Sequence, residues 1–593
     1  MSKLVYVCLN RSRQSSFIKK RLESISKRIS PDNITALPTK IFDAAGIIIG
    51  IFNPVDSIAI KNCSVCLGNM IGAEEWHSPT QGYPDGTYAL FRGNSDYIEV
   101  LTDAVASRTV WYFISDDIFI ASTSQRAIVC LLGSFEFNKE VIPWVLSTGT
   151  LGPVHGWDNR IKRLRGDSSI KLDRKSWILT TKTNAVNFSP LKKTDEECGE
   201  LLRHVLKETI KSIRLDYSKW ALPLSGGFDS RGILCLLEDT VGLRAVTWGL
   251  GSSLYEKMND AYIAKDLARA LNLRHDYYET DISSEPITDI FNRFLVCGEG
   301  RVDHISGYMD GFKIWKTLFD SGIRGIIRGD EGFGWVPVSS QLDVRFSVGI
   351  PLWSDFPNLN TLDEFSLTKQ EMPDDLLQRE VESLEAWRDR LYHQFRIPVI
   401  LAALSDLKLP YVETINPLLS RAIIYAVRTL PDHLRTDKHL YKSIVRSLSF
   451  DSRFAKYPAI ESPYNILRSK QVVEFLKEEL SSAYVDSTLS REFINYVLNG
   501  MTIDEHQNGR RRRKLAATVK SHVPTWIKNK IRHTVAKPKM DFNVLAFRAY
   551  MISRMNKILS DDVETLGQSI WGEAKADHGG AGIEVDPSFG HRN

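Results

Sequence analysis

Ser225-Gly-Gly-Phe-Asp-Ser230 holds the residue types that chemistry on phosphate requires. Two adjacent glycines let the backbone turn sharply and aim successive N–H groups at an anion. The run follows a short apolar strand, Ala221-Leu-Pro-Leu224, and precedes a helical pattern over Phe228–Leu237. A helix opening there adds unpaired N–H groups and the positive end of its dipole. Together these make a cradle for pyrophosphate. The Asp229 carboxylate repels phosphate unless Mg2+ bridges the two, so the loop predicts ATP with magnesium. No G-x-x-x-x-G-K-[ST] run occurs, which excludes a Walker loop.

The elements needed to position this loop are legible around it. A helical periodicity covers Glu197–Leu215, Arg244-Ala-Val-Thr-Trp248 reads as a strand, Lys257–Leu271 as a helix and His275-Asp-Tyr-Tyr278 as a third strand. Strand and helix alternating at this spacing predict a parallel sheet flanked by helices. Residues 40 to about 185 differ. Short β-branched or aromatic runs such as Gly46–Phe52, Thr87–Phe91, Tyr97–Leu101, Val110–Ile114 and Ile118–Ser122 are punctuated by turn residues, which predicts antiparallel sheet. Beyond about 340 the pattern is mostly helical, and the last part, from about 465, is more basic.

The loop and the segments after it resemble, in order, the synthetase domain of glutamine-dependent asparagine synthetases and their relatives among the ATP pyrophosphatases. The carriers are Ser225–Ser230, then Val246-Thr-Trp-Gly with Asp260 and His275, then Ile326-Ile-Arg-Gly-Asp-Glu-Gly-Phe-Gly-Trp335. Leu409-Pro-Tyr-Val-Glu-Thr-Ile-Asn-Pro-Leu-Leu419, Leu430-Pro-Asp-His-Leu434 and Lys442-Ser-Ile-Val-Arg446 follow, so the likeness spans roughly 195–460. It implies nucleotide contacts from Leu224, Ser225, Gly226, Gly227, Asp229, Ser230, Val246, Thr247, Trp248, Asp260, Arg328 and Gly329. It implies Mg2+ on Asp229 and Asp330, with Glu331 as the alternative, because the second motif is compressed relative to the family's. Lys442 is expected to stabilise charge on the α-phosphate or the tetrahedral intermediate. Glu413 is expected to orient or deprotonate the attacking amine, and Arg446 to support that shell. Phe333 and Trp335 are expected to wall the pocket or simply to pack.

Asp85–Phe91, Thr102–Tyr112 and Ile120–Ile128 resemble the glutaminase half of the same enzymes. That chemistry needs a cysteine directly after the initiator methionine, whose own α-amine acts as base. Position 2 is Ser2, and Cys8 is internal. The fold is therefore expected without glutamine hydrolysis, and the amine must come from elsewhere. Pro143–Leu164 resembles the corresponding stretch of lasso-peptide cyclases, which implies a precursor peptide as substrate and a leader-binding peptidase as partner. An ammonia-dependent asparagine synthetase-like amidotransferase, a β-lactam synthetase-like cyclase and a non-catalytic peptide-binding scaffold are the alternatives. The fold class expected is α/β. An Ntn-hydrolase-like antiparallel domain without its nucleophile (1–190) precedes an ATP-pyrophosphatase parallel-sheet domain (195–465) and a helical basic extension (466–593).

Composition sets the outer bounds. The 593 residues are 43% hydrophobic and 25% charged, which excludes a disordered chain, a collagen and a coiled-coil rod. Lys plus Arg against Asp plus Glu is 76 − 72 = +4, too balanced for nucleic acid or membrane binding across the surface. Seven sparse cysteines fit a reducing compartment. Cys63-Ser-Val-Cys66 has metal-ligand spacing but no second Cys or His pair nearby, so it reads as structural. The N-terminal apolar run is too short for a secretion signal, and no run approaches the ~18 residues of a membrane span. A cytoplasmic enzyme without membrane insertion is expected. Arg510-Arg-Arg-Arg-Lys514 reads first as a solvated helix face or loop, and second as a grip on an acidic peptide; nucleic-acid binding is not expected without a recognisable module.

Overall fold

The structure is a computed structural model in which residues 3–10, 15–54, 58–72, 75–449, 453–504 and 538–567 are described. Ser2, the Arg510–Lys514 run and the glycine-rich tail at 579–582 lie outside the described residues. The expected α/β class holds. Two six-stranded antiparallel sheets precede a five-stranded parallel sheet, and a helical part follows.

The first sheet runs in the order Lys162–Arg163, Trp111–Ile114, Ile118–Ser122, Lys3–Leu9, Ile47–Phe52, Lys40–Ala44. The second runs Ile178–Thr183, Ser168–Asp173, Tyr97–Thr102, Asp85–Gly93, Ser64–Ile71, Ala59–Lys61. Alternation along Lys3–Leu9 explains how they stack. Leu4, Tyr6 and Cys8 meet Val65, Leu67, Phe91 and Val100 of the second sheet. Val5 and Val7 face the opposite way, toward Ile18, Leu22 and Ile25 of the helix Ser15–Ile29 and the apolar residues of the helix Gln125–Leu132. A strand apolar on both faces is buried on both faces. That is why the N-terminal run, too short for a signal, becomes the middle of a sheet. Cys63 and Cys66 are likewise buried, just before and within the strand Ser64–Ile71. Burial pushes the Cys66 thiol up to about 12 and raises that of Cys8, so neither supplies a thiolate.

The parallel sheet has the order Arg274–Glu279, Arg244–Gly249, Trp220–Pro223, Gly325–Ile327, Glu413–Ile415. In chain order this is 3-2-1-4-5, a doubly wound arrangement. Helices Asp229–Leu236 and Asp260–Ala270 make the first two crossovers. The second antiparallel sheet docks directly on this unit: Asp85 accepts hydrogen bonds from the Arg421 and Ala422 N–H groups at 2.6 and 3.2 Å, and Arg421 pairs with Asp167 at 2.7 Å. The helix Phe542–Leu566 packs against the helices Gln125–Leu132 and Val141–Thr148. Its buried Asp562 accepts from Arg28 and Arg126, each at 2.9 Å. One apolar core runs through all three stretches of sequence. Among the described residues no helix is long and apolar enough to cross a membrane.

Candidate active site

Strand Trp220–Pro223 leads into the Ser225–Ser230 loop, and strand Gly325–Ile327 leads into Arg328–Glu331. The two strands are parallel neighbours, with Ala221 opposite Ile326, so both loops leave the same edge of the sheet. The winding direction reverses between these strands. A crevice forms outside the carboxyl ends of strands at such a switch point, and ligands of open α/β sheets bind there. Gly329 sets how closely the loops approach. A Cβ at this position would lie 3.1 Å from Asp229 Cβ and 3.1 Å from the Ser230 nitrogen, so a side chain there pushes the loops apart.

The first loop is braced from within. The Ser225 N–H donates to Ser230 Oγ at 2.9 Å, the Gly226 N–H to Asp260 Oδ1 at 2.8 Å, and the Gly227 N–H to Ser225 Oγ at 3.2 Å. These are the amides that sequence reasoning aims at a ligand; here they hold the loop's shape. Donors free of helical acceptors remain in the first turn of the helix Asp229–Leu236, which directly follows the loop. Asp260 is a brace on the loop, and its burial raises its pKa against the Gly226 hydrogen bond. Leu224, directly after its strand, and Val246 and Thr247, within theirs, are buried. The Leu224 N–H donates to the Val246 carbonyl at 2.8 Å, and the Thr247 hydroxyl donates to the Leu224 carbonyl at 2.7 Å. Trp248 meets Trp315 edge-on, centroids 5.2 Å apart.

The segment Arg453–Ala459 lies along this loop. The Ala455 N–H donates to the Gly226 carbonyl at 2.9 Å, and Phe454 stacks on Phe228 with centroids 4.0 Å apart. Phe228 is also approached by two cations from the helix His439–Leu448. Lys442 Nζ lies 5.6 Å and the Arg446 guanidinium 5.1 Å from the ring centroid. One helical turn apart, they present positive charge on one face beside the glycine loop. Lys442 also pairs with Asp437 at 2.8 Å.

In the second loop the adjacent carboxylates part company. Asp330 turns to Arg328, 2.7 Å away. Glu331 is buried; its Oε2 accepts from the Phe333 N–H at 2.7 Å, and its Oε1 lies 2.8 Å from Lys438 Nζ. The same ammonium lies 3.0 Å from Asp229 Oδ2. One lysine therefore spans the acidic side chains of both loops. Burial works against the Lys438 charge, but Glu331 and Asp229 outweigh it and hold its pKa above the usual lysine range. Burial raises the Glu331 pKa, with Lys438 opposing. Sequence reasoning placed Asp330 first and Glu331 second; the geometry puts Glu331 opposite Asp229. It missed Lys438 altogether. Asp437 and Lys438 both have left-handed backbone, with φ of 57° and 55°, and no local motif announces that kink.

Under the second loop the helix Leu384–Leu391 continues as a π-helical stretch, Tyr392–Leu401, which contains Pro398. The wider turn brings Tyr392, His393 and Arg396 to the loop. The Tyr392 hydroxyl is 3.4 Å from Glu331, His393 Nε2 is 2.9 Å from the Gly332 carbonyl, and Arg396 lies 5.0 Å from the Trp335 ring. Phe333 is buried and stacks on Tyr441 at 3.9 Å, so it packs; Trp335 is half-buried, near Lys438.

Glu413 stands apart from this group. It begins its strand, opposite Gly325, two residues short of the carboxyl edge where the loops emerge. It is buried and paired with Arg108 from the N-terminal region. Burial raises its pKa, but the Arg108 guanidinium, with help from the Thr414 N–H, takes part in a net lowering, so it stays ionised. The site thus gathers Asp229, Glu331, Lys438, Lys442 and Arg446. Its two carboxylates fit Mg2+, which prefers hard oxygens and keeps most of its shell for water and phosphate. Among the described residues no cluster of three or more His, Cys, Asp and Glu offers an all-protein metal cage.

No family model and no curated protein matches the chain. Among solved structures, glutamine phosphoribosylpyrophosphate amidotransferase from B. subtilis complexed with ADP and GMP aligns at 7% identity. It covers 46% of this chain and 65% of that one, with a TM-score of 0.19. A structure of the allosteric regulatory enzyme of purine biosynthesis aligns at 6% identity, covering 46% of this chain and 64% of that one, also with a TM-score of 0.19. The chain spans just under two thirds of the length of each, and likeness at this level does not bear on activity.

Proposed function

We propose that the chain is an ATP-dependent, AMP-forming amide synthetase acting on a precursor peptide. One observation carries the first half: two loops at the sheet's switch point place Asp229, Glu331 and the cations Lys442 and Arg446 around a helix N-terminus. That set suits a polyphosphate with Mg2+. Asp229 and Glu331 would hold the metal, which neutralises phosphate charge when bound. An oxygen of the peptide carboxylate attacks the α-phosphorus, and the bond to pyrophosphate breaks. Lys442 and Arg446 stabilise the negative charge that develops there. A peptide amine then attacks the acyl carbon and loses a proton, and AMP leaves. Holding acid and amine on one peptide makes that step intramolecular.

The peptide half of the proposal, a lasso-type macrolactam with a leader-binding peptidase as partner and a cytoplasmic setting, rests on the Pro143–Leu164 resemblance. In the fold this stretch is mostly buried, with its helix against Phe542–Leu566, and Arg548 donates to the Leu146 and Ser147 carbonyls, each at 2.9 Å. Thr150 also bridges to Val302, so the stretch packs into the core shared with the helical part. The buried Cys8 and Cys66, neither of them a thiolate, favour an amine from the substrate over one from glutamine. The test is mass spectrometry of a precursor peptide incubated with ATP, Mg2+ and the peptidase. A product lighter by one water, with AMP and pyrophosphate released, is expected. Pyrophosphate release driven by free aspartate and ammonia would move the assignment to an ammonia-dependent amidotransferase, and absence of ATP turnover by both routes would remove the synthetase reading.

A further inference from the structure

Lys438 stands where chemistry on a metal–nucleotide complex leaves no obvious place for a lysine. Its Nζ is 3.0 Å from Asp229 Oδ2 and 2.8 Å from Glu331 Oε1, and its side chain is 15% exposed. The two carboxylates come from different loops, and Gly329 keeps those loops in contact. Without a cation between them the two carboxylates, Glu331 buried and Asp229 partly exposed, would repel each other. The left-handed backbone at Asp437 and Lys438 aims the ammonium inward, while Lys442, one turn on, takes Asp437 and faces Phe228 instead. The two lysines of the same helical region thus serve different partners.

We propose that Lys438 is a resident counter-ion: it holds the Asp229 and Glu331 carboxylates on one ammonium and yields them to Mg2+ when metal-bound nucleotide arrives. Its ammonium then swings to a phosphate oxygen, so the change of partner couples metal entry to nucleotide binding. This makes Lys438 a positioning residue and sets an order: the metal enters with the nucleotide and not ahead of it. The inference rests on the nucleotide reading above.

The test uses the full chain and Mn2+ as a spectroscopic stand-in for Mg2+. Electron paramagnetic resonance reads free Mn2+ against wild type, Lys438→Met and Lys438→Gln, each with and without ATP, uptake with ATP being counted only beyond that of the same Mn2+ and ATP without protein. Wild type is expected to take up Mn2+ weakly alone and strongly with ATP. Both variants are expected to bind Mn2+ alone at least about ten-fold more tightly than wild type, because no internal cation competes. Their thermal midpoints should fall and be restored by millimolar Mg2+, a rescue that a lysine needed only for packing does not show. If one variant does not fold, the other carries the comparison; if neither folds without Mg2+ but both fold with it, the counter-ion role is supported. Unchanged Mn2+ affinity together with no Mg2+ rescue overturns it and leaves the nucleotide reading intact, provided wild type still takes up Mn2+ with ATP. Failure of wild type to take up Mn2+ with ATP overturns both.

Discussion

Lys442 and His393 show how single residues near the loops divide the work. Lys442 is partly exposed, pairs only with Asp437 among the described contacts of its ammonium, and leans over Phe228. A positive group aimed at charge that develops during reaction, and little needed for packing, should affect rate more than stability. Lys442→Ala is expected to lower kcat by about 10²–10³-fold while ATP binding changes little, as single-turnover kinetics with a nucleotide-binding assay will show. His393 is the reverse case. It is buried between Gly332 and Arg428, and burial, with the Arg428 charge adding to it, pulls its pKa down to about 3. The folded chain therefore binds fewer protons at this site than the unfolded chain between pH 3 and about 6.5. Its contribution to stability is present above pH 6.5 and is lost as pH falls. From pH 7 to pH 5 the loss is about 2 kcal/mol, and His393→Gln should flatten that part of the stability–pH curve in denaturant titrations.

The choice between Asp330 and Glu331 shows what residue types leave open. Both are carboxylates in one glycine-rich run, and composition ranks neither. The structure separates them through Arg328, two residues away, and Lys438, a hundred residues on. Likewise Asp260 belongs with the first loop as its motif suggests, but as the acceptor of the Gly226 N–H.

At the scale of elements, the antiparallel strands Ile47–Phe52, Asp85–Gly93, Tyr97–Thr102, Trp111–Ile114 and Ile118–Ser122 and the first three strands of the parallel sheet are legible, because local pattern carries that information; the three-residue strands Gly325–Ile327 and Glu413–Ile415 are too short to show one. The strands Trp220–Pro223, Arg244–Gly249 and Arg274–Glu279 and the helices between them fall within a few residues of the expected positions. Lys3–Leu9 and Ser64–Ile71 are harder to recognise as strands from the sequence, because their burial on a second sheet is a tertiary fact. The π-helical stretch at Tyr392–Leu401 was invisible for a similar reason: it follows from what Pro398 and the second loop demand together. Helix contact is also set by one small residue. A Cβ at Gly232 would fall 2.2 Å from the Tyr441 hydroxyl and 3.0 Å from Val445 Cγ2. That hydroxyl donates to the Asp229 carbonyl at 3.3 Å. Gly232→Ala is expected to cost about 1–3 kcal/mol by overpacking and, by displacing the start of the helix, to raise KM for ATP. A thermal melt and steady-state kinetics check the two parts.

Across the whole molecule, buried charge pairs tie distant stretches of chain. Lys3 meets Glu299 at 2.6 Å, Arg301 pairs with Asp406, and Arg108 with Glu413. Removing one partner of such a pair strands the other without solvent. Glu413→Met is expected to destabilise the fold by about 3–5 kcal/mol, and adding Arg108→Met to recover much of that, in a double-mutant cycle on full-length protein. If Glu413 also handles the amine, the double variant stays inactive although folded; if its duty is the ion pair alone, activity returns with stability. None of these pairs was open to sequence reading, since each joins residues more than a hundred positions apart and leaves no periodic trace.

Asp562 receives Arg126 across 436 residues of chain. During synthesis at about 5–20 residues per second, the earlier arginine leaves the ribosome tens of seconds before its acceptor exists. Through that interval the nascent chain carries a hydrophobic flank on the helix Gln125–Leu132 with nothing to cover it, so chaperone demand and the yield of recombinant protein should depend on how quickly translation reaches the helix that closes the seam.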